Sequence, residues 1–182
     1  MRRTTEFGSA GHLVGRFFGS LWPGGPSSSH ERWASQWLLP GEQELWRRMS
    51  GPDRRHAVRV AHDTAALLDA DTPRREVMAS ALLHDVGKVE AGFGTIGRAV
   101  ITALAVAVGR GRLAAAPSAR HEGRLRRRTR LYFTHDQVGA ELLEGAGSDQ
   151  TTVSWAREHH LHPDRWTVDQ RVAHALKAAD GD

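Results

Sequence analysis

The sequence predicts an all-α fold, a compact helical bundle with an N-terminal helical extension. Capping residues and helix-ending glycines recur along the chain, and the apolar residues between them repeat at helical spacing. Neither an alternating strand pattern of useful length nor an internal repeat occurs. A chain of 182 residues, 40% of them hydrophobic, suits one domain with a real core plus an extension and excludes a wholly disordered polymer. The absence of cysteine excludes disulfide stapling, thiolate zinc sites and thiol catalysis, and fits a cytoplasmic protein. The 25 Lys and Arg residues against 21 Asp and Glu leave a formal charge of only +4. All the cations except Lys88 and Lys177 are arginine, a bias that reads as composition more than as a nucleic-acid signature. One stretch stands apart: Arg120, Arg124, Arg126, Arg127, Arg128 and Arg130 crowd together with only Glu122 opposing them. It is expected to be a solvated loop, with nucleic acid or an anionic surface as its candidate partners.

The elements follow in order. Residues 1–50 form the extension. Within it Leu13, Val14, Phe17, Phe18, Leu21 and Trp22 make an amphipathic stripe with two candidate resting places, the core and a membrane surface. A Pro/Gly/Ser linker over residues 23–29 leads to a helix over 31–39 with Trp33 and Trp37 on one face, then to a shorter helix over 42–49. The main domain, residues 51–182, opens with Gly51 and Pro52 as cap and first-turn proline of a helix through Leu68. Thr72 and Pro73 repeat that signal for a helix reaching Asp85, which Gly87 is expected to end as C-terminal glycines do. The apolar run 99–108 is about half the ~20 residues that a bilayer crossing needs, so it predicts a buried helix and no transmembrane span. Thr134-His135-Asp136-Gln137 reads as a capping box for a helix stopping near Gly145. Ser148 opens a helix ending near His160. Thr167-Val168-Asp169-Gln170 is a second capping box, for a last helix whose stripe is Val168, Val172, Ala175 and Ala179.

The chemistry gathers at helix ends. His84 and Asp85 close the apolar run Met78-Ala79-Ser80-Ala81-Leu82-Leu83, which should be buried. Burying a base and an acid is costly unless they are paired or bind a metal. Imidazole and carboxylate together suit Zn, Mn, Fe, Co or Ni.

At these residues the chain resembles the HD-domain metal-dependent phosphohydrolases. The resemblance rests on His56 in Arg55-His56-Ala57-Val58-Arg59-Val60-Ala61, on Leu82-Leu83-His84-Asp85-Val86-Gly87-Lys88, and on Ala178-Ala179-Asp180. It spans roughly residues 52–180. A lone His-Asp dipeptide carries no weight, since His62-Asp63 and His135-Asp136 also occur; three ordered elements in context do. His135 in Thr134-His135-Asp136-Gln137 and the pair His159-His160 look like the further elements of members with two-metal sites. The resemblance thus implies His56, His84, Asp85, His135, His159 or His160, and Asp180 as metal ligands, with Asp85 bridging. It also implies one or two divalent ions (Mn, Fe, Zn, Co, Ni or Mg) and Lys88 as a phosphate contact.

The chain departs from parts of that family. The cyclic di-nucleotide phosphodiesterase branch carries a Gly-Tyr-Pro loop after its paired histidines, where this chain reads Leu161-His162-Pro163-Asp164-Arg165-Trp166. Trinuclear members place a Glu one turn before the first His, where Pro52 stands, and alarmone hydrolases place a Glu-Asp pair where Gly87-Lys88-Val89-Glu90 stands. The expected activity is hydrolysis of a phosphate mono- or diester on a small phosphorylated substrate, a nucleotide among the candidates. The rivals are a non-catalytic metal-stabilised regulatory module and a di-iron oxygenase, a chemistry that some HD-domain proteins perform. The remaining histidines, His12, His30, His62, His121, His162 and His174, are expected to be ordinary polar residues.

Overall fold

A computed structural model describes residues 24–69, 75–92 and 123–181 of the chain. The stripe over 13–22 and the apolar run 99–108 lie outside the described residues. Among those described, all regular structure is helical: α1 (Ser28–Ser35), α2 (Pro40–Arg48), α3 (Gly51–Leu67), α4 (Arg75–Leu83) and the single turn α5 (Lys88–Ala91). After the undescribed stretch come α6 (Arg124–Phe133), α7 (His135–Gly145), α8 (Gln150–Glu158), a 3₁₀ turn (Pro163–Arg165) and α9 (Gln170–Asp180). Among the described residues no helix is long and apolar enough to cross a membrane.

The bundle is organised around α4. Every residue from Val77 to Leu83 is buried, because α2, α3, α8 and α9 all pack on it. Burial removes about 1.5–3 kcal/mol of hydration cost for each large side chain such as Leu82 or Leu83. The one polar member of that run, Ser80, returns its hydroxyl to the Glu76 carbonyl at 2.7 Å, so the buried hydroxyl is satisfied. Helix α9 lies on α3 and helix α7 on α8, and α5 packs on both α6 and α7. These pairings bring the ends of α4, α7, α8 and α9 to one place.

The N-terminal helices join the same core: Ala34, Leu38, Leu45, Trp46 and Met49 cluster with residues from the rest of the bundle. Glu31 fastens them, accepting from Trp46 Nε1 at 2.7 Å and pairing with Arg54 at 2.9 Å. Buried Glu42 accepts from the Leu39 N–H at 2.7 Å and from Arg75 at 3.1 Å, and Arg75 also pairs with Asp149. That network stitches α2 and α4 to the N-terminus of α8.

Several local expectations are corrected. The Arg-rich run from Arg124 is helical and not a loop, because Thr129 is buried and Leu131, Tyr132 and Phe133 pack against Ala91. Ser50, not Gly51, caps α3, accepting from the Asp53 N–H. The Thr134 hydroxyl donates back to Arg130 O, so the first capping box does not form. In the second box Asp169 is the cap, accepting from the Val172 N–H at 3.1 Å, while Thr167 is drawn to Glu158. Asp149, not Ser148, precedes α8 as its N-cap residue. Gly87 has φ −61°, ordinary helical backbone, so it does not end α4 through a left-handed turn. The backbone of α7 approaches it too closely for a side chain.

Candidate metal centre

His84 and Asp85 leave α4 on a tight turn, in which the Val86 N–H donates to Leu83 O and the Lys88 N–H to Asp85 O, each at 3.0 Å. Both residues are buried, at 2% and 7% exposure. Around them the bundle gathers two groups of three donors, each with its ligand atoms within 4.8 Å of one another: His56, His84 and Asp180, and His135, His159 and His160.

In the first group, α9 packs on α3 and sets Asp180 Oδ1 2.9 Å from His56 Nε2. His84 Nε2 faces Asp180 Oδ1 at 3.6 Å and Asp85 Oδ2 at 3.5 Å. In the second, His135 Nε2 lies 3.3 Å from Asp85 Oδ1 and His159 Nε2 lies 3.9 Å from the same oxygen. His160 Nε2 stands 3.3 Å from His135 Nε2. Two nitrogens bound at ~2.1 Å to one cation lie ~3.0–3.4 Å apart, so this pair is already spaced as ligands of one ion. Asp85 lies between the groups and turns one oxygen to each. Lys88, one helical turn on, pairs with its Oδ2.

Hydrogen bonds behind the rings determine which nitrogen faces inward. His84 donates Nδ1–H to Ala81 O at 3.0 Å, His135 to Tyr132 O at 2.8 Å, and His159 to Ala156 O at 3.0 Å. A carbonyl can only accept, so each Nδ1 carries a proton, and in the neutral form of each ring the lone pair is at Nε2. The Nε2 atoms of His84 and His159 are buried with no hydrogen-bond partner. An unmade bond of that kind costs about 1–3 kcal/mol. A divalent cation would satisfy both, and backbone carbonyls behind ligating imidazoles are the usual support for one. The donor set and its orphaned atoms therefore fit a metal.

His56 is arranged differently. Arg59 approaches its Nδ1 at 2.8 Å, so Nε2 carries the proton and donates to Asp180. For Nε2 to face a cation, that proton must move to Nδ1 and the exposed Arg59 must turn away.

The electrostatics keep Asp85 and Asp180 anionic and favour the neutral form of His159 and His160. Burial alone would raise the Asp85 carboxyl, but the Lys88 ammonium, His84 and the hydrogen bond with His135 hold it well below the usual carboxylate range. Asp180 is likewise lowered, its burial outweighed by the His56 hydrogen bond and by His84. Burial, with His84 and His160 adding to it, pushes His159 well below the usual imidazole value. His160, the more exposed of the pair, is lowered to about 4 by partial burial of its ring and by His135. Lys88 is raised, because Asp85 outweighs the effect of burial.

The residues singled out in the sequence thus converge: His56, His84 and Asp180 on one side, His135, His159 and His160 on the other, Asp85 between, and Lys88 on Asp85. Sequence reasoning missed three supports. Arg59 sits one turn after His56, on the same face of α3. Glu158, buried, accepts from the Thr167 N–H and hydroxyl, each at 2.7 Å, and its own carbonyl accepts from Trp166 Nε1 at 3.1 Å. That clamp holds the loop after His159 and His160 against the end of α8. Gly139, four residues after His135, allows α7 to approach the His84–Gly87 turn closely. Only Glu158 carried a signal, an acid directly before a paired histidine. Comparison with protein-family profiles, with curated proteins and with solved structures finds no match for the chain.

Proposed function

We propose that this chain is a metal-dependent phosphohydrolase of the HD-domain type, cleaving a phosphate mono- or diester, with a nucleotide among the candidate substrates and the cytoplasm as its compartment. The observation that carries the reading is Asp85, set between two imidazole-rich groups in which His84 Nε2 and His159 Nε2 are buried without partners.

His56, His84 and Asp180 would hold one divalent ion and His135, His159 and His160 a second, with Asp85 shared between them. Bound there, such ions supply a nucleophile from water at neutral pH and offset charge on phosphoryl oxygens. The protein's own groups do the rest. Asp85, kept ionised by its neighbours, ties the two halves to one axis. The Nδ1–H bonds to Ala81, Tyr132 and Ala156 hold the rings in the ligating tautomer and orientation. Lys88 keeps its charge, and with about a fifth of its side chain exposed it is placed to meet an incoming phosphoryl oxygen. Arg59, exposed beside His56, offers a second cation at the rim.

The test is a phosphate-ester panel on protein loaded in turn with Mn, Co, Zn, Fe, Ni and Mg. Turnover of an aryl phosphate or phosphodiester that stops in His84→Ala and Asp85→Ala supports the reading. Equal rates in wild type and both variants refute it. Iron-dependent oxygen uptake without phosphate release would overturn it in favour of an oxygenase. Metal binding with no turnover anywhere, plus salt-sensitive binding to nucleic acid, would overturn it in favour of a regulatory module.

A further inference from the structure

The two halves of the metal centre ride on different pieces of backbone: Asp85 on the turn after α4, and His135 on the first residue of α7. What sets the distance between those pieces is a contact without side chains. A Cβ built on Gly87 would collide with His135 O and lie 2.6 Å from Gly139 N and 2.8 Å from His135 C. All three are backbone atoms, so no change of rotamer could relieve the collision. From the opposite side, a Cβ on Gly139 would meet Gly87 N at 3.1 Å and Val86 Cγ1 at 3.5 Å, a tighter fit than ordinary packing but a tolerable one. The Gly87 backbone is ordinary helical, at φ −61°, so glycine is needed there for room and not for conformation.

The contact sits where it governs the chemistry. Gly87 is two residues from Asp85, and two of the three atoms it crowds belong to His135 itself. Admitting a methyl group requires α7 to move outward. His135 Nε2, now 3.3 Å from Asp85 Oδ1, would move with it, and His160 Nε2, 3.3 Å from His135 Nε2, would lose its partner in the same group. The first group would feel little, because His56, His84 and Asp180 are set by α3, α4 and α9 and do not touch α7 through this contact.

We infer that Gly87, seated against Gly139, is a positioning residue that fixes the separation of the two half-sites, so that one Asp85 carboxylate serves both. The inference rests on the proposed metal centre.

Cobalt(II) titration of wild type, Gly87→Ala and Gly139→Ala tests it, read by calorimetry for stoichiometry and by visible absorption for ligand geometry, with far-UV circular dichroism reporting the fold. Wild type should take up two ions. Gly87→Ala should keep its helicity and its first ion, bind the second roughly 10–100-fold more weakly, the scale seen when support behind a ligand is disturbed, and show an altered cobalt spectrum for that ion alone. His135→Ala should reproduce the selective loss. Gly139→Ala should weaken the second ion in the same direction by less. If Gly87→Ala binds both ions as wild type does, the inference is overturned while the metal centre stands. Should Gly87→Ala fail to fold, Gly139→Ala decides: a folded variant with an unchanged second ion overturns the inference, and a weakened one supports it. A wild type that binds no ion overturns the metal centre, and this inference with it.

Discussion

Two buried polar clusters in the same bundle have opposite characters. Around Glu42 the charges answer one another: Arg75 lies 3.1 Å from Glu42 Oε2, the Leu39 N–H lies 2.7 Å from the same oxygen, and Asp149 takes the other side of Arg75. One oxygen, Glu42 Oε1, has no hydrogen bond, but the charge it shares is met by Arg75. Around Asp85 the carboxylate is paired with Lys88, but the Nε2 atoms of His84 and His159 are buried with no hydrogen-bond partner. Burial of polar groups is therefore not what marks a functional site here. The mark is a set of buried acceptors for which the protein supplies no donor. The first cluster closes on itself and holds helices together; the second leaves ring nitrogens that a cation could satisfy.

The largest expected effect separates the two by activity. His84→Ala or Asp85→Ala should lower metal-dependent phosphoester hydrolysis by at least roughly 10²–10³-fold, the scale of losing one preorganised charge-stabilising group. Glu42→Ala should leave the rate per folded molecule unchanged. A Glu42 variant as inactive as the His84 variant would erase the distinction.

The second effect is on stability and runs the other way. Glu42→Ala removes one partner of a buried ion pair and should cost about 3 kcal/mol, since Arg75 keeps Asp149 and some access to water. Urea unfolding should show this loss equally with and without divalent metal. A loss that vanishes on adding metal would mean that Glu42 belongs to the metal centre.

Metal itself should add stability through the second cluster only. At a free ion concentration of 100 times Kd the fold should gain about 2.7 kcal/mol, and a chelator should remove the gain. Thermal melts of Glu42→Ala should keep the increment, while those of His84→Ala and His159→Ala should lose most of it. An increment preserved in the two histidine variants would place the ion elsewhere.

The smallest effect is on pH dependence without metal. His159 and His160 bind protons less readily folded than unfolded. As pH falls from ~6.5 the unfolded chain takes up those protons first, so metal-free stability should drop between about pH 6.5 and 4. Added metal should deepen the drop, because protons and cations compete for the same nitrogens. A metal-free stability that is flat across this window would show that the imidazoles are not held neutral by burial.

Much of the fold could be read in advance because its signals are local. The buried run ending at Leu83, the proline-led α3 and the stripe Val172, Ala175 and Ala179 all follow from spacing and burial that a helix imposes on its own sequence. The caps were less legible, because tertiary partners competed for them: Thr167 is taken by Glu158, and Thr134 continues the turn behind it. The Arg-rich run misled for a related reason. Its charge hides a packed side, Thr129 with Leu131, Tyr132 and Phe133, that meets Ala91 only in three dimensions. At the site, His84 and Asp85 could be named from their place at the end of a buried run, and the other histidines and Asp180 only through the resemblance to the HD-domain family. Their supports could not: the carbonyls of Ala81, Tyr132 and Ala156 look like any others in sequence, and the seat of Gly87 on Gly139 exists only once α7 has docked.

The most direct measurement is anomalous scattering from crystals grown with a transition metal. The account requires two peaks, one within ~2.0–2.2 Å of His84 Nε2 and one within the same distance of His159 Nε2, with one Asp85 oxygen turned to each. Maps with no anomalous density there, and with buried waters bonded to those two nitrogens instead, would contradict it.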